Sequence, residues 1–170
     1  THFLPILDRG GKNLAWDDST TYFKYLDYLL NRYKARISHW EVMNEADLIS
    51  GQTYQTLGQK YAGILKSIYR HIKTADATAT VVVGGMSGIT NGFLKAACDN
   101  GAYKYFDIMN FHSYRSPEDN IDVYTNLFNM MKQGGWNKHV WMTETGYSTP
   151  KTTTNHRDFF SKIIPACLSR

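Results

Sequence analysis

The sequence contains few of the residues that mark several protein classes. Its 170 residues include only two cysteines, Cys98 and Cys167, and four prolines. Two cysteines cannot form the dense disulfide framework of a small secreted scaffold, and their helix-like apolar surroundings favour two buried thiols over a disulfide. Apolar runs are short, as at residues 81–83, and none approaches the roughly 20 residues that a membrane span needs.

Clusters of basic charge are also absent. The 19 Lys and Arg residues exceed the 15 Asp and Glu residues by four, but they are scattered singly along the chain. A surface that follows a phosphate backbone usually needs clustered basic residues, so we expect neither nucleic acid nor a membrane as a partner. The start of the sequence has no Met, no basic segment before an apolar run and no cleavage site. We therefore expect a signal peptide to be absent or already removed.

The residues that are present predict a folded domain. Hydrophobic residues make up 42% of the sequence and aromatic residues 14%, which is too apolar for a disordered segment. A chain of 170 residues is long enough to bury one sizeable core. We predict a single domain over residues 1–170.

Apolar runs that end in turn residues predict five β-strands, at residues 3–7, 38–43, 80–83, 106–111 and 138–143. Segments with helical spacing lie between them, so a helix should follow each strand. Asp119 or Asn120 is expected to cap the fourth helix. The strands recur roughly every 35 residues, close to the length of a βαβ unit, which predicts a parallel sheet with helices on its outer face.

Two parallel architectures fit this pattern, a doubly wound sheet and a (β/α)8 barrel. The first strand is followed by Arg9, Gly10 and Gly11, which match neither a dinucleotide-binding loop nor a phosphate-binding loop. This favours a TIM-type barrel in an α/β fold. A full barrel typically takes about 250 residues, so we predict an incomplete barrel of about five parallel strands.

Polar side chains complete three of the predicted strands. Asn44 and Glu45 follow the second strand, His112 and Tyr114 end the fourth, and Glu144 ends the fifth. Parallel-sheet enzymes carry their chemistry at these carboxyl ends, where loops vary while the strands hold them in place. Two carboxylates in a partly apolar pocket suit glycoside hydrolysis, in which one donates a proton and the other stays ionised.

Strict alternation along the fifth strand predicts that Met142 and Glu144 share one face of the sheet. Trp40 and Trp141 are then expected on the helix-covered face, in the core. Glu41 lies four residues before Glu45 on the same strand face, and we interpret it as a buried hydrogen-bonding residue.

The segments WEVMNE, FHSY and WMTETGY, in this order on alternating β and α units, resemble the signature of clan A retaining glycoside hydrolases, nearest to families 5 and 39. The resemblance implies that Glu45, preceded by Asn44, is the catalytic acid/base and that Glu144 is the nucleophile. It also places them at the ends of the fourth and seventh strands of a barrel. This chain would then hold the third to seventh βα units, without strands one, two and eight.

The resemblance further implies substrate-binding residues. Tyr114 would hydrogen-bond the nucleophile, Asn44 would contact the sugar 2-hydroxyl, and His112 belongs to the same His-x-Tyr segment. Trp16, in the loop after the first strand, could stack on a sugar ring through its flat apolar face. The histidines show no metal-ligand spacing such as HExxH, so neither a metal nor a cofactor is implied.

We therefore predict a retaining glycoside hydrolase that cleaves a β-linked oligosaccharide or polysaccharide. Two alternatives stay open: a catalytically inactive carbohydrate-binding barrel fragment, and a half-barrel that needs a partner chain to complete it. Self-association could cover the open barrel in the same way. The usual polysaccharide substrates of the resembled enzymes imply a secreted or periplasmic location.

Overall fold

A computed structural model describes residues 4–8, 19–89, 92–146 and 153–168, with the side chains of the last helix described over 157–164. Four parallel strands form one sheet in the order of the sequence. They are β1 His39–Val42, β2 Thr80–Val83, β3 Ile108–Ser113 and β4 His139–Thr145. The segment 4–8, where the first strand was predicted, forms one parallel bridge from Ile6 to Glu41 of β1.

Within the described residues, five helices alternate with these strands, which confirms the predicted βα organisation. They are α1 Ser19–Tyr33, α2 Tyr54–Ala75, α3 Phe93–Asp99, α4 Pro117–Gly134 and α5 Thr153–Leu168. Two short 3-10 turns, Ala46–Leu48 and Ala102–Lys104, precede α2 and β3. Among the helices that the structure describes, none combines the length and the apolar character required to cross a membrane.

The predicted cap of α4 is wrong. Ser116 caps this helix, because its hydroxyl accepts the backbone N–H of Asp119 while Pro117 occupies the first turn. Asn120 is buried, and its amide donates to the carbonyl oxygens of Arg115 and Ser116. Asp119 is consequently left exposed on the first turn.

The core fills the space between one face of the sheet and the helices. Alternate residues of the first three strands point into it, as expected for a pleated strand. These residues, together with apolar residues of α2, are Trp40, Val42, Val81, Val83, Met109, Phe111, Leu57, Leu65, Ile68 and Ile72. Trp40 is buried as predicted.

The prediction that Trp141 lies on the helix-covered face of the sheet is wrong. Parallel pairing aligns Trp141 with Asn110, so the indole shares a face with Asn110 rather than with the helix-covered residues. Trp141 is 37% exposed and stacks on His39 of β1, with 5.4 Å between the ring centroids. This face carries the site residues at its carboxyl end.

A β-bulge in β4 overturns the predicted alternation. Phe111 pairs with Met142 but His112 pairs with Glu144, so Thr143 is an extra residue in β4. The Asn110 side chain brackets this extra residue: its Oδ1 accepts the Thr143 N–H at 3.2 Å and its Nδ2 donates to the Thr143 hydroxyl at 2.9 Å. Glu144 therefore lies on the face of His112, opposite to Met142.

Candidate active site

The segment after β1 turns sharply at Met43, Asn44 and Glu45. Met43 has a φ of 67° and Glu45 a φ of 42°, both in the left-handed region that residues other than glycine rarely adopt. Such strain is characteristic of functional sites, where the surrounding structure enforces it. Here the Glu45 N–H donates to the carbonyl of Gly85 at 3.0 Å, which ties the turn to the loop after β2.

Tyr61 of α2 joins the ends of β1 and β2 beneath this turn. Its hydroxyl donates to the carbonyl of Val42 and accepts the N–H of Gly84, both at 3.1 Å. Tyr61 is fully buried, and the burial raises the pKa of its phenol, which stays protonated as a donor. The two strand ends are therefore fixed by one side chain.

His112 of β3 lies among three carboxylates. Its Nδ1 is 2.9 Å from Glu45 Oε1 and 3.6 Å from Glu144 Oε2, while its Nε2 is 3.8 Å from Glu41 Oε1. Burial opposes protonation of the imidazole, but the interactions with Glu41 and Glu45 and the negative charge of Glu144 outweigh it and raise the His112 pKa above its usual value. His112 is thus protonated more readily in the folded chain than a free imidazole would be.

Glycine after β2 makes room for this imidazole. A Cβ on Gly85 would lie 2.0 Å from His112 Nε2, and one on Gly84 would lie 2.3 Å from the Val42 carbonyl oxygen. The N–H of Gly85 also donates to Glu41 Oε1 at 2.9 Å. Glu41 is buried as predicted, and its hydrogen bond fixes the loop against which His112 packs.

Glu144 is held on its other side by Tyr114. The Tyr114 hydroxyl donates to Glu144 Oε2 at 2.8 Å, and this hydrogen bond, with burial, raises the pKa of the phenol. One ligand-type atom each from Glu45, His112 and Glu144 lies within 4.8 Å of the others. Two carboxylate oxygens and an imidazole nitrogen at this spacing could also hold a divalent cation.

The structure thus brings together four of the six predicted site residues: Glu45, His112, Tyr114 and Glu144. Asn44 is adjacent in the turn, and its Oδ1 is buried with no hydrogen-bond partner among the described residues. Trp16 lies outside the described residues.

Sequence reasoning missed two contacts that support the site. It did not foresee that Asn110 holds the bulge beside Glu144, or that Glu41 faces His112. The pair Gly84–Gly85 directly after an apolar strand was the available signal for the close approach of His112.

A cavity of about 510 Å³ opens beside His112 and Tyr114. It runs along the carboxyl ends of β2 and β3 toward the first turns of α4, and it reaches the open surface. Its volume lies within the range of roughly 300–1,000 Å³ that is typical of small-molecule sites.

No family model and no curated protein matches the sequence. Solved structures do match the fold. A family 51 α-L-arabinofuranosidase, AbfB, from Bifidobacterium longum aligns with a TM-score of 0.62 at 17% identity, over 86% of this chain and 36% of that one. A glucosidase from Croceicoccus marinus aligns with a TM-score of 0.69 at 14% identity, over 86% and 35%.

A curdlan-specific exo-β-1,3-glucanase of family GH128, subgroup III, from Blastomyces gilchristii aligns with a TM-score of 0.62 at 16% identity, over 95% of this chain and 66% of that one. This chain spans about a third of the length of the first two enzymes. At such identities the likeness shows the fold alone, which is that of consecutive βα units of a TIM-type barrel, here incomplete.

Proposed function

We propose that this chain carries the catalytic centre of a retaining glycoside hydrolase that cleaves a β-linked oligosaccharide or polysaccharide. The observation that carries the proposal is the convergence of Glu45 and Glu144: one carboxylate oxygen of each lies within 4.8 Å of one of the other, a closest approach that is compatible with the shorter of the two separations known for glycoside hydrolases. Retaining enzymes hold their two carboxyl groups about 5–5.5 Å apart, whereas inverting enzymes need roughly 6.5–9.5 Å to admit a water molecule. The fold shared with glycoside hydrolases supports the broader class.

The first step is attack on the anomeric carbon by a Glu144 oxygen, with cleavage of the bond to the leaving oxygen. Glu45 gives its proton to that oxygen, so the leaving group departs as a neutral alcohol. The hydrogen bond from Tyr114 keeps one Glu144 oxygen occupied and orients the other.

The second step releases the sugar. Glu45, now ionised, takes a proton from a water molecule, whose oxygen attacks the anomeric carbon as the bond to Glu144 breaks. Each carboxylate ends in its starting state, and two inversions give net retention of configuration.

The surrounding residues position these groups. The His112 side chain is only 1% exposed and faces carboxylates, so we assign it the orientation of Glu45 rather than direct contact with the sugar. We assign Asn44, which precedes Glu45 in the turn, the contact with the sugar 2-hydroxyl that the sequence segment predicts. A stacking role for Trp16 stays a prediction.

The finer assignment to clan A, near families 5 and 39, rests on the sequence segments that carry Glu45, Tyr114 and Glu144. The similar solved structures include enzymes of families 51, GH2 and GH128. The proposed chemistry depends on the carboxylate pair and holds for any of these family assignments.

Substitution of each glutamate tests the proposed roles. Glu144→Gln should reduce turnover of every substrate by at least about a thousandfold, since no nucleophile remains. Glu45→Gln should leave kcat/KM nearly unchanged for aryl glycosides with a dinitrophenolate leaving group, which needs no proton, but lower kcat because no base activates the water of the second step; cleavage of glycosides with poor leaving groups should be abolished. Glu118→Gln, at an exposed position on α4, is the matched control and should leave turnover unchanged.

The anomeric configuration of the product, followed by proton NMR during hydrolysis, tests the retaining mechanism. The β-anomer should form first from a β-glycoside. Initial formation of the α-anomer, or a Glu144→Gln chain with turnover equal to that of Glu118→Gln, would overturn the proposal.

A further inference from the structure

A second cavity, of about 370 Å³, lies between α2 and the turn that leads from α3 to β3. Gln59, Gly63 and Lys66 line it from α2, and Lys104 and Tyr105 line it from the turn. We call it the basic groove. The turn enters β3 at its amino end, whereas the carboxylate pair lies at the carboxyl ends of the strands. The basic groove is therefore separate from the candidate active site.

The two walls of the basic groove are held against each other. A Cβ on Gly58 of α2 would lie 2.6 Å from the carbonyl oxygen of Phe93, so α2 and α3 touch at their backbones. At the end of α3, the amide of Asn100 donates to the carbonyl of Ala96 at 2.8 Å and fixes the start of the turn. Walls fixed in this way lose little conformational entropy when a ligand binds.

Three cations surround the groove. Lys66 Nζ lies 5.7 Å and Arg70 Cζ 5.9 Å from the centroid of the Tyr105 ring, so two positive charges meet on one aromatic side chain. Like charges four residues apart on a helix repel each other, and the attraction of each cation to the ring offsets part of that repulsion. Lys104 adds a third positive charge from the facing wall.

These three cations lack a carboxylate counterion. None of them forms a salt bridge with a described residue. Asp99 and Asp107, which flank the turn in the sequence, pair with other lysines at 2.6 and 2.9 Å. No acidic residue is among the described residues that line the groove. An anion bound there would meet an uncompensated positive surface, which favours its binding.

The rest of the lining suits a body that carries hydroxyl groups. The volume of about 370 Å³ lies within the range typical of small-molecule sites and leaves room for more than an inorganic anion. Gln59 and Asn100 bring carboxamides to the groove, and a carboxamide both donates to and accepts from hydroxyl groups. A polar organic body joined to an anionic group would use both parts of the lining.

We propose that the basic groove binds the phosphate ester of a sugar, with the phosphate among Lys66, Arg70 and Lys104 and the sugar hydroxyls at Gln59 and Asn100. A phosphate monoester carries a charge of about −1.5 to −2 at neutral pH, so it gains more from three cations than a carboxylate does. This ligand site goes beyond the proposed function and does not depend on it.

Calorimetric titration of the unsubstituted chain tests the groove. The probes are glucose 6-phosphate, mannose 6-phosphate, the two parent sugars, glucuronic acid and inorganic phosphate. At least one sugar phosphate should bind at least about tenfold more tightly than its parent sugar, than glucuronic acid and than inorganic phosphate. Its affinity should fall as salt is added, because salt screens exposed charges. The Glu144→Gln chain should bind it equally well.

Substitutions locate the binding. Lys66→Gln and Lys104→Gln should each weaken the sugar phosphate at least about threefold, because each removes one cation. Lys24→Gln, exposed on α1 and outside the groove, removes the same charge and is the matched control. Gly63→Leu should abolish binding, since a Cβ there meets nothing within 4 Å and the larger side chain would fill the groove without disturbing the core. Thermal melting curves establish that all variants fold.

No binding of either sugar phosphate, or equal binding of the sugar phosphate and its parent sugar, would overturn the proposal. Equal affinity for inorganic phosphate would overturn the part of it that concerns the sugar. Variants at Lys66, Lys104 and Gly63 that bind like Lys24→Gln would show that the ligand lies elsewhere, which would also refute it. Turnover of glycosides is measured independently, so loss of either proposal leaves the other standing.

Discussion

The two glutamates at the end of β1 differ because of their backbone and their depth. Glu41 is fully buried in the strand and accepts the N–H of Gly85, whereas Glu45 lies in a left-handed turn with its side chain 23% exposed. The turn costs on the order of 1–3 kcal/mol at each non-glycine residue with positive φ, and the contact of Glu45 with Gly85 helps to offset it. Four residues of sequence thus separate a structural carboxylate from one available for chemistry.

The pKa of His112 predicts how stability depends on pH. The pKa of His112 is higher in the folded chain than the usual value of about 6.5. Protonated His112 therefore contributes stability that is fully present below about pH 6.5 and is lost as the pH rises through the pKa of the folded state. The free energy of unfolding should therefore decline above neutral pH, and His112→Gln should flatten the decline.

Urea denaturation at pH values from about 6 to 9 measures this effect. His139→Gln is the control, because His139 is exposed at the far end of the sheet. The His139→Gln chain should keep the pH dependence of the unsubstituted chain. An unchanged slope in the His112→Gln chain would contradict a raised pKa of His112 in the folded chain.

At the scale of the secondary-structure elements, local patterns in the sequence predict most of what is observed. The apolar runs locate β1 to β4, and helical spacing locates the helices between them, because both patterns repeat within one element. The N-terminal cap of α4 could also have been predicted from the sequence, since the pair Ser116–Pro117 is a typical helix start. The sequence analysis predicted Asp119 or Asn120 instead. The bulge in β4 could not be predicted from the local sequence, because it depends on a contact between Asn110 and Thr143, which lie on different strands.

The bulge itself predicts a specific effect of substituting Asn110. Asn110→Ala removes both hydrogen bonds that bracket Thr143, so Glu144 should be displaced and kcat should fall by about a hundredfold with little change in KM. Steady-state kinetics on an aryl glycoside measures both constants. Asn137→Ala, exposed just before β4, should leave kcat unchanged, and an equal kcat in both variants would contradict a positioning role for Asn110.

Tyr61 predicts the contribution of α2 to the ends of β1 and β2. Tyr61→Phe leaves the buried N–H of Gly84 without this hydroxyl, which should lower the free energy of unfolding by about 1–3 kcal/mol. Tyr54→Phe, at an exposed position on the same helix, should have little effect. Denaturant midpoints of the two chains give the comparison, and equal midpoints would show that the Tyr61 hydroxyl does not hold the strand ends together.

For the whole molecule, the topology explains why the sequence predicted that these side chains lie close together. Parallel strands in sequential order bring their carboxyl ends to one edge, so Glu45, His112 and Glu144, spread over 99 residues of sequence, meet there. The contact of His112 with Glu41 across Gly85 could not be found in the same way, because it depends on side-chain packing in three dimensions. The length of the chain correctly predicted an incomplete barrel.

The open barrel also explains why Trp141 is partly exposed. In a closed barrel the face that carries His39, Asn110 and Trp141 points inward, and here the outer part of that face is partly exposed. The site residues lie at the carboxyl end of the same face, with Glu41 and His112 buried there. The carboxylate pair is thus assembled at the ends of strands that lie within the described residues.

The most direct test of the central claim is covalent labelling. The folded chain, checked by a melting curve, is incubated with fluorosugar and epoxide probes that trap the nucleophile of retaining glycosidases, and the labelled peptides are mapped by mass spectrometry. We predict a label on Glu144, lost in the Glu144→Gln chain and kept in the Glu118→Gln chain. A label on another carboxylate, or no label with any probe on the folded chain, would contradict the assignment of Glu144 as the nucleophile.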